Sequence, residues 1–214
     1  MEQTLVYLIN REWTGPELDR AMALLSSWSA WWPFLVLGIL LIAWRGGFRG
    51  RSYLICCGLC IFFVDAVTVN TLKKSVGRPR PHMVLEGMRE VDLVKARPRI
   101  LAVFSPPVVR ESDPGIRPIR GGSFPSGHAA NNFAIATVTA VFFRRWGWLA
   151  FLPAILVSYS RVYVGSHWPS DVVVSWFLSG GVSLLVLAAL SCCWAKLAPR
   201  FFPSLSASQP RLIP

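Results

Sequence analysis

The sequence predicts an all-α fold, a multi-pass transmembrane helix bundle with five to six membrane helices. Three observations lead there. Hydrophobic residues make up 53% of the 214 positions and charged residues 15%, too apolar a balance for a soluble globule of this size. Uncharged or nearly uncharged runs of spanning length recur along the chain, the first of them with Trp at both ends. Basic and polar residues collect between those runs rather than within them. The net charge of +11 then reads as cations flanking membrane helices plus a site for an anionic substrate, not as a nucleic-acid surface. The length gives one domain, residues 1–214.

The chain opens on residues 1–28. The apolar run Leu5 to Ile9 is too short to span, and the acidic Glu2 before it does not suit a cleavable signal peptide. Pro16-Glu17-Leu18-Asp19 marks a helix start, with Pro in the first turn and acids at the positive end. Leu18, Met22, Leu24 and Leu25 give it one apolar face. Arg11, Glu12, Glu17, Asp19 and Arg20 make it too charged to cross, so it is expected to lie in the membrane interface with a docking role.

Trp28 to Trp44 is the first span, followed by Arg45, Arg49 and Arg51 in a Gly-rich turn. Ser52 to Leu72 is the second. Its one charge, Asp65, calls for a partner, and an ion pair or hydrogen bond between helices is the simplest one. Lys73 to His82 closes this span. Pro79 and Pro81 force Arg78 and Arg80 into extended backbone, so these cations are held at fixed positions. Residues 83–123 form a long extramembrane loop with turn signals at Asp113-Pro114-Gly115 and Gly121-Gly122, suited to a lid or cap. Gly127 to Phe143 is the third span, Trp146 to about Ser160 the fourth, and Val172 to Ala195 the fifth. Residues 197–214 are a Pro- and Ser-containing tail with no chemistry of its own. All five cysteines fall in apolar runs and read as small packing residues, not as a disulfide framework or a zinc site.

Alternation of the spans brings three polar stretches to one membrane face: the end of the second, the start of the third, and the junction of the fourth and fifth. Arg45, Arg49, Arg51, Arg144, Arg145, Lys196 and Arg200 lie on the other face. By the positive-inside rule that face is cytoplasmic, so the polar site of a protein in the cytoplasmic (inner) membrane would face the periplasm or outside.

The central stretch is Gly122-Ser123-Phe124-Pro125-Ser126-Gly127-His128, which ends a polar loop and opens an apolar helix. Alone it could be a plain helix cap. Together with its partner stretches, Lys73-x6-Arg80-Pro81 and Ser160-Arg161-x5-His167-x3-Asp171, it resembles the three signature motifs of the type 2 phosphatidic acid phosphatase superfamily, over roughly residues 60–175. The chemistry of the residue types agrees. Lys73, Arg80 and Arg161 suit the outer oxygens of a phosphoryl group. Ser126 and the Gly127 N–H add donors at a helix start. An acid four residues after His167 can accept from one imidazole nitrogen and leave the other as nucleophile, although Asp171 also fits as a charge at a helix N-terminus.

The resemblance implies the roles. His167 would attack phosphorus and form a phosphohistidine, His128 would protonate the leaving oxygen and then activate water, and Asp171 would orient His167. Lys73, Arg80, Ser126, Gly127 and Arg161 would hold the phosphate. It implies no metal and no cofactor. The substrate implied is a phosphorylated membrane lipid of the undecaprenyl diphosphate, phosphatidylglycerol phosphate or lipid A type. Phosphate transfer between lipids is the near alternative, and a non-catalytic lipid-binding protein or a transporter using Asp65 the distant ones. Vanadate-dependent haloperoxidases share the site chemistry, but five apolar spans argue against a soluble enzyme.

Overall fold

The computed structural model describes residues 1–113 and 122–213. Pro114, Gly115 and Gly121, expected to form turns, lie outside them. The elements are α1 (Glu2–Tyr7), a π-helical turn (Leu8–Glu12), α2 (Pro16–Ser26), α3 (Trp28–Arg45), α4 (Gly47–Ile61), a π-helical segment (Phe62–Val69), α5 (Asn70–Val76) and α6 (Pro81–Val84). A pair of short strands follows, β1 (Arg89–Asp92) and β2 (Val108–Glu111), and then α7 (Gly127–Phe142), α8 (Phe151–Tyr163), α9 (Pro169–Phe201) and α10 (Pro203–Ser208).

Helix α7 is the hub and packs against α4, α8, α9 and the π-helical segment. Its sequence explains the position. Ala129, Ala130, Ala134 and Ala136 are fully or almost fully buried. Opposite them α9 offers Ser175, Ser179 and Ser183, buried at four-residue intervals. Small residues on both sides let two helix backbones approach closely. The buried positions of the α4 side run Cys56, Cys60, Val64 and then Val69. The step of five between the last two matches the π-helical segment that contains them. Cys56, Cys57 and Cys60 pack with Val138, Phe142 and Leu187 as free thiols, as expected of small packing residues, whereas Cys192 and Cys193 are exposed.

Among the described residues, three stretches are long and apolar enough to cross a membrane: Trp28–Arg45, Gly47–Val84 and Pro169–Phe201. The sequence had suggested five or six. Helices α7 and α8, of 16 and 13 residues, are shorter. At 1.5 Å per residue they extend about 24 Å and 20 Å, against a hydrocarbon core of about 30 Å.

The structure departs from the sequence reading in three further places. The N-terminal helices do more than lie on an interface. Val6, Ile9, Met22 and Ala23 are buried in the largest apolar cluster, together with Met88, Tyr163 and Trp168. Within it Asn10 is fully buried. Its side-chain amide donates to the carbonyls of Arg89 (2.9 Å) and Tyr163 (2.6 Å), and its Oδ1 accepts the Arg89 N–H (2.8 Å). Asp19 accepts from the Arg89 guanidinium (2.5 Å) and the Tyr163 hydroxyl (2.6 Å). Second, the 83–123 loop contains the antiparallel β1–β2 pair, with Arg89 opposite Glu111 and Asp92 opposite Val108, so the fold is not purely helical. Third, α9 continues to Phe201, and the tail folds back so that Leu212 and Ile213 pack beside the Cys56–Phe142 cluster.

Asn10→Ala should leave the Tyr163 carbonyl and the Arg89 N–H buried and unpaired, at about 1–3 kcal/mol each. The thermal midpoint of the detergent-solubilised protein is expected to fall by several degrees. An unchanged midpoint would show that the N-terminal helices are not part of the cooperative fold.

Candidate active site

The site is built where α5, α7 and the α8–α9 junction meet. Ser126 caps α7 in extended backbone (φ −78°, ψ 109°), and its carbonyl accepts the Ala130 N–H at 2.9 Å. Its own N–H donates to Ser175 Oγ (2.9 Å), and the Ser175 hydroxyl donates to the Asp171 carbonyl (2.6 Å). The first turns of α7 and α9 are thus fastened together. The Ser126 hydroxyl itself is buried with no partner within the protein.

Gly127 has no room for a larger side chain without a shift. An added Cβ would stand 3.3 Å from Asp65 Oδ1 and 3.6 Å from Lys73 Nζ. Asp65, expected to pair with a neighbouring helix, therefore sits beside Lys73 against the start of α7. His128 follows in the first helical turn, within electrostatic range of Lys73, Arg80, Arg161 and His167.

His167 lies in the short turn between α8 and α9 and is 2% exposed. Gly165, at φ +73°, makes that turn. The N–H groups of Ser166 and His167 fold back onto the Arg161 carbonyl (3.1 and 3.2 Å). Nδ1 of His167 lies 2.7 Å from the Ser123 carbonyl, an obligate acceptor, so Nδ1 carries the proton and Nε2 keeps its lone pair. Burial pushes the imidazole pKa down to about 4, Arg161 and Arg80 push the same way, and Asp171 opposes them. The ring is therefore neutral near pH 7.

The relation of Asp171 to His167 differs from a simple pair four residues apart. Asp171 Oδ2 is 3.7 Å from Nδ1, beyond hydrogen-bond length. It accepts instead from the Ser123 hydroxyl and from the Trp168 N–H (2.9 Å). Ser123 stands between them: its hydroxyl donates to Asp171 while its carbonyl holds His167. Asp171 Oδ1 accepts from the Arg78 guanidinium at 2.7 Å. Sequence reasoning assigned no role to Ser123 or Arg78, although both lie inside the stretches it singled out. The fixed extended backbone of Arg78-Pro79-Arg80-Pro81 was the available signal.

The cations converge. Gly77, at φ +59°, ends α5 and turns the chain toward Arg80, which caps α6. Arg80 and Arg161 are both near enough to Lys73 to act on its charge. Arg161 leaves α8 and donates through Nη1 to the Ser26 carbonyl (3.3 Å) and hydroxyl at the end of α2, while its Nε is buried and unpartnered. Two buried groups that can donate, Ser126 Oγ and Arg161 Nε, thus lack protein partners in a cationic setting. Such groups suit an oxyanion.

The sequence profile of the PAP2 superfamily matches residues 52–194. An undecaprenyl-diphosphatase of Sulfolobus acidocaldarius is 47% identical over 64 residues, 29% of this chain and 31% of that protein. A lipid A 4'-phosphatase of Bacteroides thetaiotaomicron is 31% identical over 60% of this chain and 49% of its own length. A lipid A 1-phosphatase of Rhizobium etli is 31% identical over 65% and 52%. The chain thus spans about half the length of these relatives, or less. Among solved structures, Aquifex aeolicus LpxE superposes with a TM-score of 0.57 at 26% identity, over 86% of this chain and 93% of that one. A PAP2 type phosphatidylglycerolphosphate phosphatase from Bacillus subtilis shares the fold, with a TM-score of 0.55 at 20% identity over 92% and 87%.

A histidine held below its ordinary pKa binds its proton less readily when folded than when unfolded. Its contribution is complete above an unfolded pKa of about 6.5 and is lost as pH falls toward 4. Lowering the pH from 7 to 5 should therefore cost about 2 kcal/mol through this group. His167→Gln should flatten the fall in thermal midpoint between those values. An equally steep fall in the variant would assign the acid sensitivity elsewhere.

Proposed function

We propose a function on one premise: the chain belongs to the PAP2 superfamily. It is an integral membrane lipid phosphatase that hydrolyses a phosphomonoester or diphosphate headgroup through a phosphohistidine. The observation that carries the reading is His167, neutral and fixed through Nδ1, together with two buried groups of the neighbouring motif stretches, Ser126 Oγ and Arg161 Nε, that have no protein partner.

In the first step the lone pair on His167 Nε2 attacks phosphorus. The bond from phosphorus to the lipid oxygen breaks, and His128, which takes up a proton once the anionic phosphate offsets the surrounding cations, gives that proton to the oxygen. In the second step His128 takes a proton from water as the water oxygen attacks phosphorus. The P–N bond breaks and inorganic phosphate leaves. Lys73, Arg80 and Arg161 neutralise the equatorial oxygens, and Ser126 with the Gly127 N–H completes the cradle. Asp171 keeps His167 oriented through Ser123. Charge is balanced by side-chain cations, so the reaction needs no metal.

The reading includes five membrane helices, with α7 and α8 counted as short spans in a cytoplasmic membrane. The arginine-bearing turns face the cytoplasm and the site faces outward. The substrate class is a lipid with a terminal phosphate. Named relatives act on undecaprenyl diphosphate and lipid A, which makes those the first candidates.

The test is phosphate release in detergent, with chelator present, from undecaprenyl diphosphate, undecaprenyl phosphate, phosphatidylglycerol phosphate, phosphatidic acid and lipid A. Selective, chelator-resistant release is expected, and His167→Ala should abolish it. Turnover by a folded His167→Ala protein would overturn the mechanism. Movement of labelled phosphate onto an added lipid acceptor, in place of release, would make the enzyme a phosphotransferase. Gly127→Ala should displace Asp65 by a few tenths of an ångström and place a methyl group against Lys73, lowering kcat by about tenfold or more, with the thermal midpoint nearly unchanged.

A further inference from the structure

Asp171 is fully buried, and its place is set in part by Glu2, a residue outside the three sequence stretches, acting through Arg78. Arg78 reaches it with Nη1 (2.7 Å), and the same nitrogen donates to Ser170 Oγ (2.7 Å). The guanidinium lies 5.0 Å from the centre of the Trp168 ring, and the Trp168 indole donates to the Pro79 carbonyl at 2.9 Å. Arg78 Nη2 points the other way, to Glu2 Oε2 at 2.7 Å. The second oxygen of Glu2 accepts from the Ser170 N–H (3.1 Å) and the Ser170 hydroxyl (2.5 Å). One carboxylate at the start of α1 therefore holds both Arg78 and the first turn of α9.

A bidentate fork is the one side-chain shape that can bridge two carboxylates along a fixed line. Pro79 sets the Arg78 backbone, Trp168 sets the plane of the guanidinium, and Glu2 sets its direction. Without Glu2 the fork could rotate away from Asp171. Asp171 would then lose one of its three holding contacts, and with it the Ser123 geometry that presents His167.

We propose that Glu2 and Arg78 are positioning residues for His167, acting through Asp171 and Ser123. The N-terminal helix is thereby part of the catalytic apparatus, although it touches no substrate. The proposal rests on the function argued above. It goes beyond that reading because neither residue meets the phosphate.

The test is a double-mutant cycle on kcat and KM, with undecaprenyl diphosphate and phosphatidic acid as probes. Arg78→Ala is expected to lower kcat by about 30- to 100-fold and Glu2→Ala by about fivefold, with KM changed by less than about threefold. In the Arg78→Ala background, Glu2→Ala should cost less than about twofold further, because only its hold on Ser170 remains to be lost. Added methylguanidinium should restore part of the Arg78→Ala activity. A merely structural role would instead lower the thermal midpoint and the active fraction, with no rescue and with additive losses. Should Arg78→Ala not fold, Arg78→Lys serves, since an ammonium cannot span both carboxylates. The same non-additivity is expected of it.

Glu2→Ala or Glu2→Gln with kcat within twofold of the parent would overturn the proposal, as would additive losses. His167→Ala is the control. If it is inactive while the Glu2 variants are normal, only the positioning proposal fails. If it remains active, the catalytic reading falls and the proposal falls with it.

Discussion

Everything at this site answers to one constraint, the mutual repulsion of cations held close together in a poorly hydrated place. Lys73, Arg80 and Arg161 come within range of one another at the end of an apolar bundle. In water such a cluster would spread apart. Here the backbone of Arg80 is set by the start of α6, the Arg161 guanidinium is held by Ser26, and Lys73 has the Asp65 carboxylate nearby. The fold has to supply rigid attachment because the side chains alone would relax. A cradle that keeps its charges in place before an anion arrives has little reorganising left to do.

That requirement gives the N-terminal eighth of the chain its meaning. Asn10 and Asp19 fix the end of α8 and the first strand. Ser26 fixes Arg161, and Glu2 reaches Arg78 and Ser170. These contacts are made by polar side chains to backbone, guanidinium or hydroxyl groups, which gives them direction as well as strength. The region forms an outer wall that restrains the mouth of the bundle. The apolar helices set how deep the site lies, and the wall sets where its charged groups point.

The bundle and the three motif stretches were legible in the sequence, for a local reason. Hydropathy over twenty residues and fixed spacings within one stretch are properties of contiguous chain. The partners of Asp171 were not legible. Ser123 lies 48 positions from it, Arg78 93, and Glu2 meets Ser170 across 168. No periodicity encodes contacts at such separations. The expected direct contact between His167 and Asp171 shows the same limit: spacing placed them on one helical turn, but a loop serine came between them. The short strand pair and the folded-back tail escaped for a related reason, since each depends on a distant surface to pack against.

The π-helical segment Phe62–Val69 has a consequence for how this protein should be aligned with others. In an uninterrupted helix the inward positions after Val64 would be Thr68 and Leu72, and Lys73 would be rotated by about 100° away from the start of α7. One additional residue in the widened turn moves Val69 inward, and Lys73 follows one turn later. The core packing of Cys56 and Cys60 and the phosphate-side placement of Lys73 are therefore in different helical registers on what reads as one span. A gapless superposition of sequences across this segment matches either the packing residues or the cations, and a homologue with a plain α-helix here needs one residue fewer between them.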